Sequence, residues 1–280
     1  MKKIMKIKSR LSKLNHKFRF YKKSKRVSKE FFKNSIKENA VPWTEIKSVF
    51  QKLQPMKTEY NLIRMGSDFD GGYLLPDDLQ NLEASFSPGV NEEIGFDLEI
   101  SKICNRCYLA DASVDEPAGL TPNMNFLKKF IGNDQDPDFI KFEEWVNKNE
   151  PQSNNLILQM DIEGAEYDIL SRVPNVILEK FRIILIEFHD LNKIFNREYF
   201  EKFKHTFENL EKSHTICHLH CNNSAPYILF DDTVIAPVFE LTYLRNDRIN
   251  SKVEKAILPH KLDQANCRKI PDPKTPNFWQ

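Results

Sequence analysis

Asn155-Leu-Ile-Leu-Gln-Met160 runs without a break into Asp161-Ile-Glu163-Gly164-Ala165-Glu166. A nearly unbroken apolar run of this length fits a strand buried on both faces, and the Gly-Ala-Glu after it opens a helix. The same form returns at Arg182-Ile-Ile-Leu-Ile-Glu-Phe188, which runs into His189. A helix from about Ala165 is predicted between the two. Ala84-Ser-Phe86 and Cys107-Tyr-Leu-Ala110 read as shorter buried strands, with a third near 126–131 and two more at 215–220 and 238–244. Helices are predicted over about 43–54, 92–104, 138–149 and 197–212, the last with Tyr199, Phe200, Phe203 and Phe207 inward. Before them, Tyr60-Asn-Leu-Ile-Arg-Met65 is extended and ends at Gly66-Ser-Asp-Phe-Asp-Gly-Gly-Tyr73. Alternation of this kind specifies an α/β fold with a mostly parallel sheet covered by helices on both faces.

The chain has 280 residues, 40% of them hydrophobic, enough to bury a large core. Its longest aliphatic run, Ile183-Ile-Leu-Ile186, is far short of the ~20 residues of a spanning helix, and no apolar segment of the signal-peptide kind follows the N-terminus. A cytoplasmic location is therefore expected. The net charge of +1 hides a segregation. Residues 1–37 hold 15 Lys or Arg and one acid, a net +14, whereas the other 243 residues hold 26 basic and 39 acidic groups, a net −13. Two units are expected: a basic N-terminal arm, 1–41, and a catalytic domain, 42–280. In the arm Ile4, Ile7, Leu11, Leu14 and Phe18 share one helical stripe. A basic amphipathic helix suits an anionic membrane surface, which would make the protein peripheral on the cytosolic membrane face, or an acidic partner protein. A solvated extension is the competing reading, and the acidic body disfavours nucleic acid.

Five cysteines, Cys104, Cys107, Cys217, Cys221 and Cys267, form no even disulfide framework. They read as reduced thiols, the spacing between the two pairs being too wide for a zinc finger.

Ligands of such sheets bind beyond the carboxyl ends of the strands. After the first strand, Ser87-Pro-Gly89-Val-Asn91-Glu92-Glu93 has one glycine where a dinucleotide fingerprint needs three. That disfavours a pyrophosphate and leaves room for a nucleoside. Asp111 ends the second strand, 22 residues past Gly89, the spacing of an acid that accepts from both ribose hydroxyls. Asp161 and Glu163 leave one strand end on the same side, as do Glu187 and His189 at the next. These groups make either a general base with its orienting partner or a divalent metal site formed by Asp161, Glu187 and His189. Glu166 is read as favouring the helix N-terminus that follows. His218, His220, Asn222 and Asn223 at a later strand end suit hydrogen bonds to a polyol.

These residues resemble a known family. Leu158-Gln-Met-Asp-Ile-Glu-Gly-Ala-Glu-Tyr-Asp-Ile-Leu170 is similar to the signature segment of FkbM-type methyltransferases, and Arg64-Met-Gly-Ser-Asp-Phe-Asp-Gly-Gly-Tyr73 to their upstream element. Further similarity lies at 86–97, 186–189, 218–223 and 240–243. The resemblance implies a class I (Rossmann-like) methyltransferase fold with a seven-stranded sheet, S-adenosylmethionine as methyl donor, and O-methylation of sugars in surface glycans such as capsule or lipopolysaccharide, or in their nucleotide-sugar precursors. By position it implies that Gly89, Glu93 and Asp111 line the cofactor site while Asp70, Gly72 and Tyr73 close over it. His189 then acts as general base, or Mg²⁺ or Mn²⁺ at Asp161, Glu187 and His189 makes the hydroxyl acidic. The acidic residue that usually opens the first glycine motif is replaced by Ser85 and Ser87. A metal-dependent glycosyltransferase using Asp68-x-Asp70 or Asp161-x-Glu163, and a non-catalytic membrane-associated module, are the alternatives.

Overall fold

The computed structural model describes the backbone of residues 2–91, 93–132, 136–250, 254–270, 272–273 and 275–279, with side chains from residue 16 onward except 277. The chain opens with helix α1 (Lys2–Ser35) and helix α2 (Trp43–Lys52), followed by a hairpin of β1 (Leu62–Gly66) and β2 (Gly72–Pro76). The alternating part runs β3 (Ala84–Pro88), α3 (Gly95–Ile100), β4 (Arg106–Ala110), β5 (Met124–Leu127), α4 (Phe142–Asn149) and β6 (Leu156–Met160). It continues through α5 (Glu166–Leu170), α6 (Asn175–Leu178), β7 (Phe181–Phe188), α7 (Arg197–Leu210) and β8 (His214–Cys221). A short hairpin, β9 (Ile228–Phe230) and β10 (Thr233–Ile235), precedes the last sheet strand, β11 (Phe239–Arg245).

Seven strands form one sheet in the order β8-β11-β7-β6-β3-β4-β5. β3 pairs in parallel with β4 and β6, as do β4 with β5 and β6 with β7. β11 is antiparallel to both its neighbours, β7 and β8. This is the expected sheet with one reversed strand. Its chain order turns back between β3 and β6, so the crevice of the fold lies beyond the carboxyl ends of those two strands.

Every residue of β3, β6 and β7 is buried, which is why β6 and β7 read as nearly unbroken apolar runs, while β3 buries two serines, Ser85 and Ser87. On one face Phe86, Leu158 and Ile184 pack with α2, α4 and α7; Phe86 meets Tyr108, Trp145 and Phe181 with ring centroids 4.9, 5.0 and 5.8 Å away. Such ring pairs each add about 1 kcal/mol beyond their buried area. On the other face Ile157, Ile183 and Leu185 pack under the β1–β2 hairpin and α3. Beyond an irregularity between Phe181 and Ile183, odd-numbered positions of β6 and β7 face this second side, which carries Asp161, Glu187 and His189 toward the hairpin.

Three elements differ from expectation. α4 starts at Phe142 and not near 138, because Phe139–Ile140 are drawn into a strand pair. α3 is shorter than 92–104, because the Asn123 amide takes the carbonyls of Ser101 and Cys104 at 2.9 and 3.0 Å and closes the chain into turns there. The strand expected near 126–131 divides: Met124–Leu127 joins the sheet, and Phe130–Ile131 pairs separately with Phe139–Ile140.

The C-terminal half of α1 lies on the domain. Phe31 is buried against Phe195 and Phe230 at 4.6 and 5.2 Å, Phe20 meets Tyr227 edge-on at 4.9 Å, and the Ser28 hydroxyl accepts from the Leu229 amide at 2.8 Å. The side chains of Ile4, Ile7, Leu11 and Leu14 lie outside the described residues. Among the described residues no helix is long and apolar enough to cross a membrane.

Candidate active site

The ends of β3 and β6 meet at Gly89 and Asp161. The Gly89 amide donates to the Ala110 carbonyl at 2.9 Å, and the Asp161 amide to the Pro88 carbonyl at 3.2 Å. Gly89 has φ +84°, and a Cβ there would stand 1.5 Å from the Asp161 carbonyl oxygen. Only glycine lets the two strand ends come this close.

Asp111 is buried at the end of β4. One carboxylate oxygen accepts from the Ser113 amide and hydroxyl at 2.7 and 2.6 Å, the other from the Asn91 amide at 3.2 Å. It thus ties together the loops after β3 and β4. A carboxylate accepts about four hydrogen bonds, which leaves capacity for about one further donor, such as a ribose hydroxyl. Glu93 is exposed on the loop after β3.

Across the crevice, His189 collects four acids. Its Nδ1 lies 3.0 Å from Glu166 Oε1, while its Nε2 faces Asp161 Oδ1 at 3.7 Å, Glu187 Oε1 at 3.7 Å and Glu163 Oε2 at 3.6 Å. Glu166 is fully buried and also accepts from the amides of Ile162 and Gly164 at 3.1 and 3.2 Å. Its role therefore exceeds the helix-end preference expected of it: it shapes the turn after β6 and fixes the imidazole. The Tyr199 hydroxyl holds the His189 carbonyl at 3.0 Å. Glu163 and Asp190, at the ends of the two strands, both have positive φ, +55° and +62°, a conformation that costs of order 1 kcal/mol or more in non-glycine residues and clusters at functional sites.

The electrostatics follow from that crowding. Burial alone would lower His189, but the hydrogen bond and charge of Glu166, with Asp161 and Glu163, lift it to about 9. Burial raises Asp161 to about 7, the His189 charge opposing and Glu163, Glu166 and Asp70 reinforcing. Glu187 is pushed well up by burial and by the charges of Asp161, Glu240 and Asp70. In this state His189 is an imidazolium at neutral pH, so its expected part as a ready neutral base changes, and Asp161 titrates nearest neutrality.

Asp161, Glu187 and His189 place one donor atom each within 4.8 Å of one another, and Asp161 Oδ1 is buried without a hydrogen-bond partner. Two carboxylates and an imidazole suit Mg²⁺ or Mn²⁺. Donor set and orphaned oxygen both fit a divalent cation.

The β1–β2 hairpin borders this group. The Tyr73 hydroxyl accepts from the Gln159 amide at 3.1 Å, and the Asp70 carboxylate from Asn266 at 3.1 Å. Gly72 closes the turn where a Cβ would meet the Ser67 carbonyl at 1.9 Å. Asp70 and Tyr73 thus stand over the carboxylates. The Asp70 charge raises Asp161 and Glu187, and burial with the charges of Glu187 and Asp161 keeps the Tyr73 hydroxyl protonated.

The four residues expected to hold substrate are brought together, and three of them, His218, His220 and Asn223, are covered by Asp263, Cys267, Ile270 and Asp272. His218 pairs with Asp263 at 2.8 Å, and His220 with Glu240 and Asp272 at 3.3 Å each. The Asn223 amide donates to the carbonyls of Cys267 and Ile270. Asn222 donates to Glu187 Oε1 at 2.9 Å, so it positions an acid of the cluster. Glu240, opposite Glu187 and His220 in the sheet, opens the 240–243 segment of similarity, but nothing in the sequence placed it beside the acids. Cys104, Cys107, Cys217 and Cys221 are buried free thiols.

Comparison with known proteins adds the following. The sequence model described as "Methyltransferase FkbM domain" matches residues 72–215. No curated protein matches the chain. Solved structures with a similar course of the backbone include the precorrin 8W decarboxylase of Methanobacterium thermoautotrophicum, at 17% identity over 59% of this chain and 82% of that one, TM-score 0.34. The fibrillarin pre-rRNA processing protein of Methanococcus jannaschii aligns at 10% identity over 67% and 83%, TM-score 0.37. A Streptococcus mutans protein described as a methyltransferase, solved with SAH, aligns at 11% identity over 75% and 99%, TM-score 0.31.

Proposed function

The chain belongs to the FkbM family of methyltransferases, whose sequence model spans just over half of it, and from that premise we propose that it methylates a sugar hydroxyl of a surface glycan, such as capsule or lipopolysaccharide, or of its nucleotide-sugar precursor. Membership makes it an S-adenosylmethionine-dependent methyltransferase and sets aside the glycosyltransferase and non-catalytic readings. The observation that carries the proposal is the His189 imidazole held by Glu166 with its Nε2 turned to Asp161, Glu163 and Glu187.

Bound S-adenosylmethionine supplies an electrophilic methyl group and leaves as S-adenosylhomocysteine. Asp111 and the open turn at Gly89 receive the nucleoside half, the carboxylate accepting from the ribose. A sugar hydroxyl is a weak acid, so its proton must leave as the oxygen bonds to carbon. The coupled Asp161–His189 pair accepts it. Asp161 titrates near 7 and is matched to that task, while Glu166 keeps the ring from turning. In the alternative version, Mg²⁺ or Mn²⁺ held by Asp161, Glu187 and a neutral His189 would take the place of the ring proton and supply the Lewis acidity that lowers the hydroxyl's pKa. The hairpin turn at Asp70–Tyr73, tied to Asn266, borders the cluster on one side.

The test is methyl transfer from labelled S-adenosylmethionine to a panel of nucleotide-sugars and oligosaccharides, with and without Mn²⁺. Wild-type protein should label a sugar hydroxyl, and His189→Ala should lose roughly a hundredfold or more. Full activity in His189→Ala would overturn the mechanism. Labelling confined to other acceptor classes would overturn the sugar assignment.

A further inference from the structure

Helix α1 has two dissimilar faces. With successive residues about 100° apart, Ser24, Val27, Ser28 and Phe31 form the stripe that rests on the domain. The stripe on the opposite side holds Lys22, Lys25, Lys29 and Lys33, all exposed. Among these lysines, and toward their edges, stand Phe18, Tyr21, Phe32 and Ile36, each more than half exposed. Lys22 lies over the Phe18 ring at 4.6 Å and Lys25 over Tyr21 at 4.8 Å. Glu30 is the one acid among residues 16–37, and it lies on a flank, on the wall of a cavity.

We propose that helix α1 docks the enzyme on an anionic lipid bilayer through the face it turns away from the domain. Rings interleaved with lysines match the layered chemistry of a bilayer interface, where aromatic side chains settle at headgroup depth and ammonium groups meet lipid phosphates. A solvated extension has no cause to expose four large apolar side chains along one stripe. Because Phe31, Ser28 and Phe20 hold the helix on the domain, binding would orient the whole enzyme. The cavity on the flank of α1, about 830 Å³, has Glu30 and Asn34 on one wall and Gly164 and Asp190 on the other. Gly164 and Asp190 directly follow Glu163 and His189, so the helix that would bind lipid lies beside the loops of the acidic site.

The experiment is co-sedimentation of the full chain with vesicles of phosphatidylcholine alone or mixed with phosphatidylglycerol. Binding should require the anionic lipid and weaken with salt. Replacing Lys22, Lys25, Lys29 and Lys33 together by Glu should reduce partitioning by roughly tenfold or more. Phe18→Ser with Tyr21→Ser and Phe32→Ser should reduce it several-fold at unchanged charge. Lys102→Glu with Lys148→Glu, exposed lysines elsewhere, should leave binding within about twofold of that expected for two distant charges. Absence of binding to anionic vesicles, binding indifferent to both face variants, or retention on duplex DNA without vesicle binding would each overturn the proposal. Circular dichroism and S-adenosylhomocysteine affinity of the variants, both expected unchanged, separate loss of the surface from loss of the fold.

Discussion

Replacing Gly89 by Ala tests whether the meeting of two strand ends builds the site. The added Cβ would lie 1.5 Å from the Asp161 carbonyl oxygen and 2.5 Å from its carbon, whereas real Cβ contacts stay above 3.0 Å. The ends of β3 and β6 must therefore part by about 1.5 Å. Three costs add: about 1–2 kcal/mol for an L-residue at φ +84°, about 1–3 kcal/mol for overpacking, and about 1 kcal/mol for the hydrogen bond from the Asp161 amide to Pro88. A loss of roughly 3–6 kcal/mol lowers the melting temperature by about 10 °C or more. Displacement of Asp161 by more than an ångström should also weaken catalysis by about a hundredfold. Thermal melting and methyl transfer read the two effects. Gly119 provides the comparison, since it has φ +89° with nothing within 4 Å of its missing Cβ; Gly119→Ala should cost only the conformational part. A Gly89→Ala protein as stable and active as Gly119→Ala would refute the reasoning.

Two further substitutions read the electrostatics. Glu166→Gln removes the hydrogen-bonded charge that lifts His189 to about 9, so ring NMR should record a fall of about one pH unit or more; an unchanged titration would mean that Glu166 does not hold the imidazole. Asp97 is buried and raised by that burial from 3.8 to about 6, against a Ser87 hydrogen bond. With the folded pKa above the unfolded one, its contribution is full below about pH 4 and is lost as pH rises through about 6, a swing of about 3 kcal/mol. Denaturant melts of Asp97→Asn should show that much less decline between pH 4 and pH 8 than wild type, and parallel profiles would contradict the assignment.

What was legible in the sequence follows from which forces act locally. β6 and β7 were readable to within a residue at each end, because burial on both faces leaves an unbroken apolar run. The grouping of Asp161 with Glu187 and His189 followed from the two-residue period at parallel strand ends. Glu240 was not legible beside Glu187, because antiparallel register depends on where β11 arrives and not on its own pattern. The covering of His218, His220 and Asn223 was hidden for a related reason: Asp263, Cys267, Ile270 and Asp272, which cover them, lie outside any helix or strand. The grip of Glu166 on His189 spans two strand ends, while its first-turn position offered a sufficient local explanation. The docking of α1 rests on Ser24, Val27, Ser28 and Phe31, a stripe too polar to stand out among the lysines.

The central claim is that the crevice between β3 and β6 receives S-adenosylmethionine through Asp111. Calorimetric titration with S-adenosylhomocysteine, with and without Mn²⁺, tests it most directly. The account predicts saturable one-to-one binding by the wild-type chain that is lost in Asp111→Ala. No binding under either condition, or equal binding by wild type and Asp111→Ala, would contradict it.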